Sequence, residues 1–283
     1  MKTIADPREM QNAAELHRRA GKRIAVVPTM GAFHEGHLAL IRDARKRGEV
    51  LIVTLFVNPV QFGKGEDFER YPRDLERDTA LAQEAGADFL FVPQAAEMYP
   101  EGYQTYVTVE RVARPLEGTV RPGHFRGVAT VVVKLFNITM PHIAVFGQKD
   151  AQQVAVIRRM VRDLNLGVEL VVLPTVRDAD GLALSSRNAY LTAEQRCDAP
   201  ALYAALQHAG AMVTRGERSA PVIVAAMRAM LRERTAAVID YCSVADAETL
   251  EEFEFIPAGR QVLISLAARF GTTRLIDNIP LTT

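Results

Sequence analysis

Ile24-Ala25-Val26-Val27-Pro28-Thr29-Met30-Gly31-Ala32-Phe33-His34-Glu35-Gly36-His37 is the stretch from which the fold can be read. A short apolar run, residues 24–27, ends at Pro28 and passes through a loop holding Gly31 and Gly36. A helical pattern follows over residues 37–47, where Leu40, Ile41 and Ala44 share a face. Arg45, Lys46 and Arg47 lie near its negative end, and Gly48 stops it. The same succession then recurs. Residues 50–57 form a second β-branched run punctuated by Asn58-Pro59, residues 75–84 are helical up to Gly86, and residues 88–92 read as a third strand. Further on, residues 128–140 read as a helix and 143–146 as a strand. Residues 150–164 carry Val154, Ile157, Val161 and Leu164 at helical spacing, and 168–174 close the series as a strand. Strands alternating with helices imply a parallel sheet covered on both faces, so the class is α/β, doubly wound and Rossmann-like.

The character changes near Arg177. Residues 192–214 and 219–234 read as two helices separated by Arg215-Gly216-Glu217, with strand-like runs at 237–244, 261–270 and 272–279. Grouping of this kind predicts a smaller C-terminal α+β domain. The expected organisation is therefore a Rossmann-like domain over 1–176 and a smaller domain over 177–283.

Composition narrows the function. The chain has 283 residues, 48% of them hydrophobic, with Lys+Arg and Asp+Glu both at 34. Zero net charge argues against duplex nucleic acid as the main partner, because phosphate neutralisation calls for a basic excess. A small anion needs only a local cluster of donors. Cys197 and Cys242 have no metal-ligand spacing and form no disulfide framework, so they read as buried or half-buried thiols in a reducing compartment. The N-terminus lacks the apolar core of a signal peptide, and no segment approaches the ~20 apolar residues that span a bilayer. The expectation is a cytoplasmic protein.

In an open α/β sheet, ligands sit beyond the carboxyl ends of the strands. The loop from Met30 to His37 lies there, and its helix N-terminus offers free N–H groups and partial positive charge to a phosphate. His34 and His37 can add imidazole donors. The rival chemistry is metal ligation, although no third ligand lies nearby in sequence; the plainest reading is two satisfied histidines in a turn. Gly147-Gln148-Lys149-Asp150 follows another strand and opens another helix, which brings Lys149 to the same rim as a point charge for phosphate. Gln61, in Phe56-Val57-Asn58-Pro59-Val60-Gln61-Phe62-Gly63, can donate and accept at once; Gln153 falls in the first turn of its helix. Ser185, Ser186 and Arg187, at the junction near Arg177, offer two hydroxyls and a planar five-donor cation.

These strings together resemble one family. His34-Glu35-Gly36-His37 is similar to the HxGH signature of the nucleotidylyltransferase superfamily. The longer string from Pro28 to His37 resembles the pantothenate synthetases in particular. So do the run from Phe56 to Phe62, Gly147 to Gln153, Ser185-Ser186-Arg187-Asn188 and the C-terminal Leu275-Ile276-Asp277-Asn278-Ile279. Arg121-Pro122-Gly123-His124-Phe125-Arg126-Gly127-Val128 is a further match, from which Arg121 and His124 could reach the site or simply pack the loop. One departure is Gln148, where the family pattern has Glu.

The resemblance implies an ATP-dependent ligase in which pantoate is adenylated and then joined to β-alanine, releasing AMP and pyrophosphate. It implies ATP contacts at Met30, Gly31, Ala32, Phe33, His34, Glu35, Gly36 and His37, at Gly147, Gln148, Lys149 and Asp150, and at Val176, Leu184, Ser185, Ser186 and Arg187. His37 is the implied catalytic residue. Gln61 and Gln153 are implied for pantoate, and Gln61 also for β-alanine. Mg²⁺ is expected to accompany ATP, with Asp78 and Asp150 both open as ligands, and the family implies a homodimer. Two rivals stand beside this reading: a nucleotidylyltransferase that transfers a nucleotide to another small substrate and stops, and a non-catalytic ATP sensor.

Overall fold

The computed structural model describes all residues from Met1 to Thr283. In chain order the first half runs β1 (Lys2–Ile4), α1 (Pro7–Arg19), β2 (Ile24–Thr29), α2 (Glu35–Arg47), β3 (Val50–Leu55), a 3-10 turn at Pro59–Gln61, α3 (Leu75–Glu84), β4 (Phe89–Phe91) and the short α4 (Ala95–Met98). It continues through α5 (Glu117–Val120), α6 (His124–Thr139), β5 (Ile143–Gly147), a 3-10 turn at Gln148–Asp150, α7 (Ala151–Asp163) and β6 (Glu169–Leu173). The second half holds a 3-10 turn at Ser186–Tyr190, α8 (Ala193–Asp198), α9 (Ala201–Thr214), α10 (Ala220–Arg234), β7 (Val238–Asp246), β8 (Gln261–Phe270) and β9 (Thr273–Thr282).

The six strands of the first half form one sheet in the order β1-β4-β3-β2-β5-β6, every pairing parallel. Period-two alternation sorts the central strands between two cores. Ile24, Val26, Val50, Ile52, Ala144 and Phe146 face α1, α6 and α7 in a cluster of 27 buried residues. Ala25, Val27, Leu51, Val53, Ile143 and Val145 face Leu38, Ile41 and Ala44 of α2 and Ala82 of α3 in a cluster of 13. A three-stranded antiparallel sheet, β7-β8-β9, packs against α9 and α10 around a separate core of 21. The doubly wound parallel sheet with a smaller α+β unit is thus what the chain forms.

Local differences from the sequence reading have identifiable causes. β2 does not end at Pro28 but pairs through it to Thr29, opposite Thr54 and Leu55. Thr29 faces β3, since its carbonyl accepts from Phe56 N–H at 3.0 Å, so Pro28 faces β5. The ladder with β5 stops at Val26, and the N–H that proline lacks is not needed there. The single helix expected over 192–214 is two, α8 and α9, because Pro200 has no N–H with which to continue the ladder. α1 has no counterpart in the sequence reading; Asp6 caps it by accepting from Glu9 N–H at 2.7 Å, and Pro7 occupies its first turn. Cys197 is exposed rather than half-buried, while Cys242 is buried.

Gly127 marks a close backbone approach near the rim. A Cβ there would lie 2.6 Å from both Cα and N of Gln61 and from the Val60 carbonyl. α6 can therefore press directly on the Pro59–Gln61 turn, which fixes where Gln61 stands. Gly127→Ala is expected to destabilise the fold by roughly 1–3 kcal/mol through this overpacking. Urea denaturation measures it; an unchanged midpoint would mean that the turn yields without cost.

Candidate active site

The sheet order reverses direction beside β2: the chain first adds β3 on one side and later places β5 on the other. The loops after β2 and β5 thus diverge and leave a crevice at the switch point. An inner cavity of about 220 Å³ fills it, and a cavity of about 690 Å³ continues outward between the two sheets. Both are lined by Arg121, His124, Lys149, Asp150, Gln153, Ser185 and Arg187.

The loop after β2 is held in shape by a buried carboxylate. Asp78, 1% exposed on α3, accepts from Ala32 N–H at 2.7 Å and Phe33 N–H at 2.8 Å. Ala32 sits in the left-handed region at φ 53°, a conformation these bonds help to secure. Asp78 is thereby engaged with backbone and does not reach the cavity wall, which removes it as one of the two carboxylates left open for a metal.

His34 caps α2. Its Nδ1 accepts from Gly36 N–H at 3.1 Å, and His37 Nδ1 accepts from His34 N–H at 3.4 Å. Gly36 is required for this fold-back, because a Cβ there would meet His34 Cε1 at 2.8 Å. The two rings lie 4.1 Å apart. With Nδ1 accepting in both, the neutral tautomer of each carries its proton on Nε2. Burial, and after it the charge of Lys149, lowers the His34 pKa to about 4. Burial, then His34 and Lys149, lowers that of His37 to about 3. At neutral pH the pair offers two Nε2–H donors and no net charge.

Gln61 is oriented by a relay. Tyr99 OH donates to Asn58 Oδ1 at 2.9 Å, and Asn58 Nδ2 donates to Gln61 Oε1 at 3.1 Å. Its NH₂ group is left facing Met30 Sδ at 3.1 Å and the inner cavity. The sequence reading has this amide donating and accepting at once; its oxygen already accepts from Asn58, and the NH₂ group is what it turns to the cavity. His124 Nδ1 lies 2.8 Å from the Gln61 carbonyl, and its Nε2 lies 3.0 Å from Arg121, so both residues do reach the cleft. Burial, then the Arg121 charge, lowers the His124 pKa to about 4.

The Ser185–Arg187 loop closes the third side. Ser185 Oγ accepts from Arg187 N–H at 3.3 Å, and Ser186 Oγ lies 3.2 Å from Tyr71 OH. The Arg187 fork binds both oxygens of Asp67 at 2.9 Å, and Arg121 binds Glu66 in the same bidentate way at 2.6 and 2.8 Å. Burial raises the Asp67 pKa, but Arg187 outweighs it and holds the carboxyl below its ordinary range. Glu66, Asp67 and Tyr71 carry no signal in the sequence beyond ordinary loop polarity.

Of the residues expected to meet ATP, Met30, His34, Gly36, His37, Gly147, Lys149, Asp150, Val176, Leu184, Ser185, Ser186 and Arg187 line the inner cavity, together with Gln61 and Gln153. Gly31, Ala32, Phe33, Glu35 and Gln148 do not. Phe33 is 1% exposed and belongs to the core, and the N–H groups of Ala32 and Phe33 are taken by Asp78. Glu35 pairs with Arg42 on the surface. Gln148 turns to Asn278, donating to its Oδ1 at 3.0 Å, so the departure at this position lies off the cavity wall. No group of three or more His, Cys, Asp or Glu gathers to hold a metal, and the histidines have their Nδ1 atoms on backbone; metal ligation by the pair loses its geometry.

A doubly wound sheet that turns a helix-capping histidine pair and a lysine onto one crevice at its switch point defines an α/β enzyme with its site at that crevice. Within that class the match is specific and nearly complete. The chain belongs to the pantoate-beta-alanine ligase family, whose model matches residues 2–280. It is 53% identical over 278 residues to the pantothenate synthetase of Geobacter sulfurreducens, covering 98% of each chain. Its structure is similar to that of pantothenate synthetase from Thermus thermophilus, with a TM-score of 0.92, 47% identity and full coverage of both chains. It is also similar to the pantoate-beta-alanine ligase from Francisella tularensis complexed with beta-gamma ATP and beta-alanine, with a TM-score of 0.78, 31% identity and coverage of 99% and 97%.

The histidine pair makes stability depend on pH with a definite sign. Both folded pKa values lie below the free value of 6.5, so as pH falls toward about 4 the unfolded chain binds protons that the folded chain refuses. Stability should therefore drop across that window, and His37→Gln should flatten the drop. Urea midpoints taken at intervals from pH 7 to 4 measure both; an imidazole NMR titration placing His37 near 6.5 would contradict its burial.

Proposed function

We infer that the chain catalyses the ATP-dependent condensation of pantoate with β-alanine through a pantoyl adenylate, releasing AMP and pyrophosphate. The observation that carries this reading is the convergence of His34, His37, Lys149 and the Ser185–Arg187 loop, all far apart in sequence, on one cavity at the switch point. The Francisella relative in complex with an ATP species and β-alanine supports both ligand classes. Neither rival accounts for Gln61 being aimed into the same cavity by a relay of buried polar groups.

The chemistry follows from what these groups offer. A carboxylate with a pKa near ~4 is already ionised at neutral pH, so the first step needs no general base. One pantoate oxygen bonds to the α-phosphorus while the bond to the bridging oxygen breaks, and pyrophosphate leaves with that electron pair. Two Nε2–H donors in a desolvated wall stabilise the negative charge on the phosphate oxygens, where they need no reorganisation. His37 is placed at the reacting phosphate and His34 beside it. Lys149 opposes the charge from the facing turn, and Ser185 and Ser186 add hydroxyl donors. Arg187 exchanges Asp67 for phosphate when the nucleotide enters. Gln61 donates to pantoate and lies where β-alanine arrives; Gln153, which also lines both cavities, holds pantoate from the other side. In the second step the amine nitrogen bonds to the acyl carbon, the acyl–phosphate bond breaks, AMP departs and the amine gives up a proton.

Mg²⁺ bound with ATP would supply neutralisation of phosphate charge. Asp150, the carboxylate that lines the inner cavity, would hold it, and phosphate oxygens and water would supply the other ligands. The proposal includes a division at 176/177, with the smaller unit closing over the nucleotide. It also includes a cytoplasmic location and a homodimer. Residues 104–110 lie outside both sheets, and their one backbone hydrogen bond within the chain is Val107 N–H to Thr130 Oγ1 at 3.0 Å. Free backbone groups on a β-branched run are what a second copy can pair with.

Incubation with ATP, Mg²⁺ and pantoate should give pyrophosphate exchange that depends on pantoate but not on β-alanine, and adding β-alanine should release AMP. His37→Ala is expected to lower the exchange rate by about 100-fold or more with the fold retained. Exchange independent of pantoate would sink the ligase reading, and near-normal turnover of the variant would remove His37 from the chemistry.

A further inference from the structure

Lys149 sits on a turn that the first half of the chain does not hold by itself. The Gln148–Asp150 turn joins β5 to α7, and the last strand of the small sheet reaches across to it. Asn278 on β9 is 4% exposed and spends its whole amide on this turn. Its Nδ2 donates to the carbonyls of Gln148 at 3.1 Å and Lys149 at 2.8 Å, and its Oδ1 accepts from Gln148 Nε2 at 3.0 Å. An amide has two donors and one oxygen, so every group it owns is committed to residues 148 and 149.

Asn278 is itself fixed from behind. Its N–H donates to Asp277 Oδ1 at 2.8 Å, and Asp277 takes a bidentate pair from Arg177 at 2.6 and 2.9 Å. Arg177 in turn stacks its guanidinium 3.7 Å above the Tyr203 ring. The chain of contacts therefore runs from α9 of the small unit, through the Arg177–Asp277 pair, to the peptide that carries Lys149. Lys149 has one weak ionic neighbour of its own, Asp150 at 3.7 Å, and no side-chain hydrogen bond that would set its direction. Its placement opposite the histidines depends on its backbone.

We propose that Asn278 is a positioning residue for the adenylation step: by clamping the carbonyls of Gln148 and Lys149 it sets the point from which the Lys149 ammonium meets the triphosphate. The inference rests on the role given to Lys149 above. It assigns the small unit a part in the chemistry that does not require any of its own side chains to touch ATP. Gln148 belongs to the same clamp. By donating to Asn278 Oδ1 it fixes the orientation of that amide, with Nδ2 turned to the two carbonyls.

A double-mutant cycle in pantoate-dependent pyrophosphate exchange tests this, using wild type, Asn278→Ala, Lys149→Ala and the double variant, with thermal unfolding of each. Asn278→Ala in the otherwise native enzyme is expected to lower the exchange rate about tenfold. In the Lys149→Ala background the same change should cost less than about twofold, because the group being positioned is gone. An equal factor in both backgrounds overturns the proposal, since a merely structural residue acts regardless of Lys149. Should the alanine variant fail to fold, the cycle is run with Asn278→Asp, which keeps the shape and the acceptor for Gln148 but has no amide donors. Failure of the parent reading is told apart by the reference proteins. Absent pantoate-dependent exchange in wild type, or a Lys149→Ala variant as fast as wild type, strikes at the functional assignment before Asn278 is considered.

Discussion

A parallel sheet can hold a ligand at its edge only where neighbouring loops part, and in this chain that happens once in the centre, between β2 and β5. The polar groups that line the site are arranged around that gap. The loop after β2 supplies the histidines, the turn after β5 supplies Lys149, and the small sheet stands above both. Shape at the gap is maintained mainly by backbone hydrogen bonds to a few buried side chains. Asp78 holds the loop at Ala32 and Phe33, and the imidazole Nδ1 atoms hold the start of α2. These are charge-assisted or cap bonds whose loss would leave buried N–H groups unpaired, which is costly in a way that a missing surface contact is not.

The electrostatics of the wall follow from that geometry. Two cationic imidazoles 4.1 Å apart beside a lysine would repel one another in a desolvated site. Burial keeps both rings neutral, so they act as fixed dipoles. The formal positive charge comes from Lys149 and from Arg187 and Arg121, and both arginines are paired with carboxylates of one loop through Asp67 and Glu66. A triphosphate entering this cleft meets donors that are already oriented and charges that must change partners. The first removes reorganisation from the binding of phosphate oxygens. The second means that Asp67 and Glu66 compete with the ligand for the two guanidinium groups.

The distinction also explains what could be read from the sequence. Alternating strand and helix patterns disclose the sheet, because hydrophobic period is a local property, and the His34–His37 string carries its own structural context. Gly147–Asp150 and Ser185–Arg187 are recognisable for the same reason. Asp78 could not be identified as the anchor of the histidine loop: it looks like any acidic residue in a first helical turn, and its partners lie 45 and 46 positions away. Asp67 and Glu66 are hidden likewise, since pairing with Arg187 and Arg121 is decided by how a loop lies across the cleft. Phe33 shows the opposite failure. It sits inside the motif and counts there among the ATP contacts, but its side chain is core. A motif marks a backbone path, and only some of its side chains face the ligand.

The small sheet is tied to the large one by more than the Asn278 clamp. Arg274, also on β9, binds both oxygens of the buried Glu117 at 2.5 and 2.8 Å and Asp240 at 2.6 Å, while Tyr241 OH donates to Glu117 at 2.9 Å. A buried pair of this kind contributes little net stability over an apolar replacement of the same shape, yet removing one partner strands a charge. Its effect is to allow one arrangement and penalise the neighbours of that arrangement. Arg274 and Asn278 are four residues apart on one strand face, about 13 Å along the strand. Leu250 and Leu263 add apolar contact with the first core, and Glu248 pairs with Arg162 at 2.6 Å, so the small sheet is held along more than one line. A clamp can set the position of Lys149 only if its own base is fixed, and these contacts fix it.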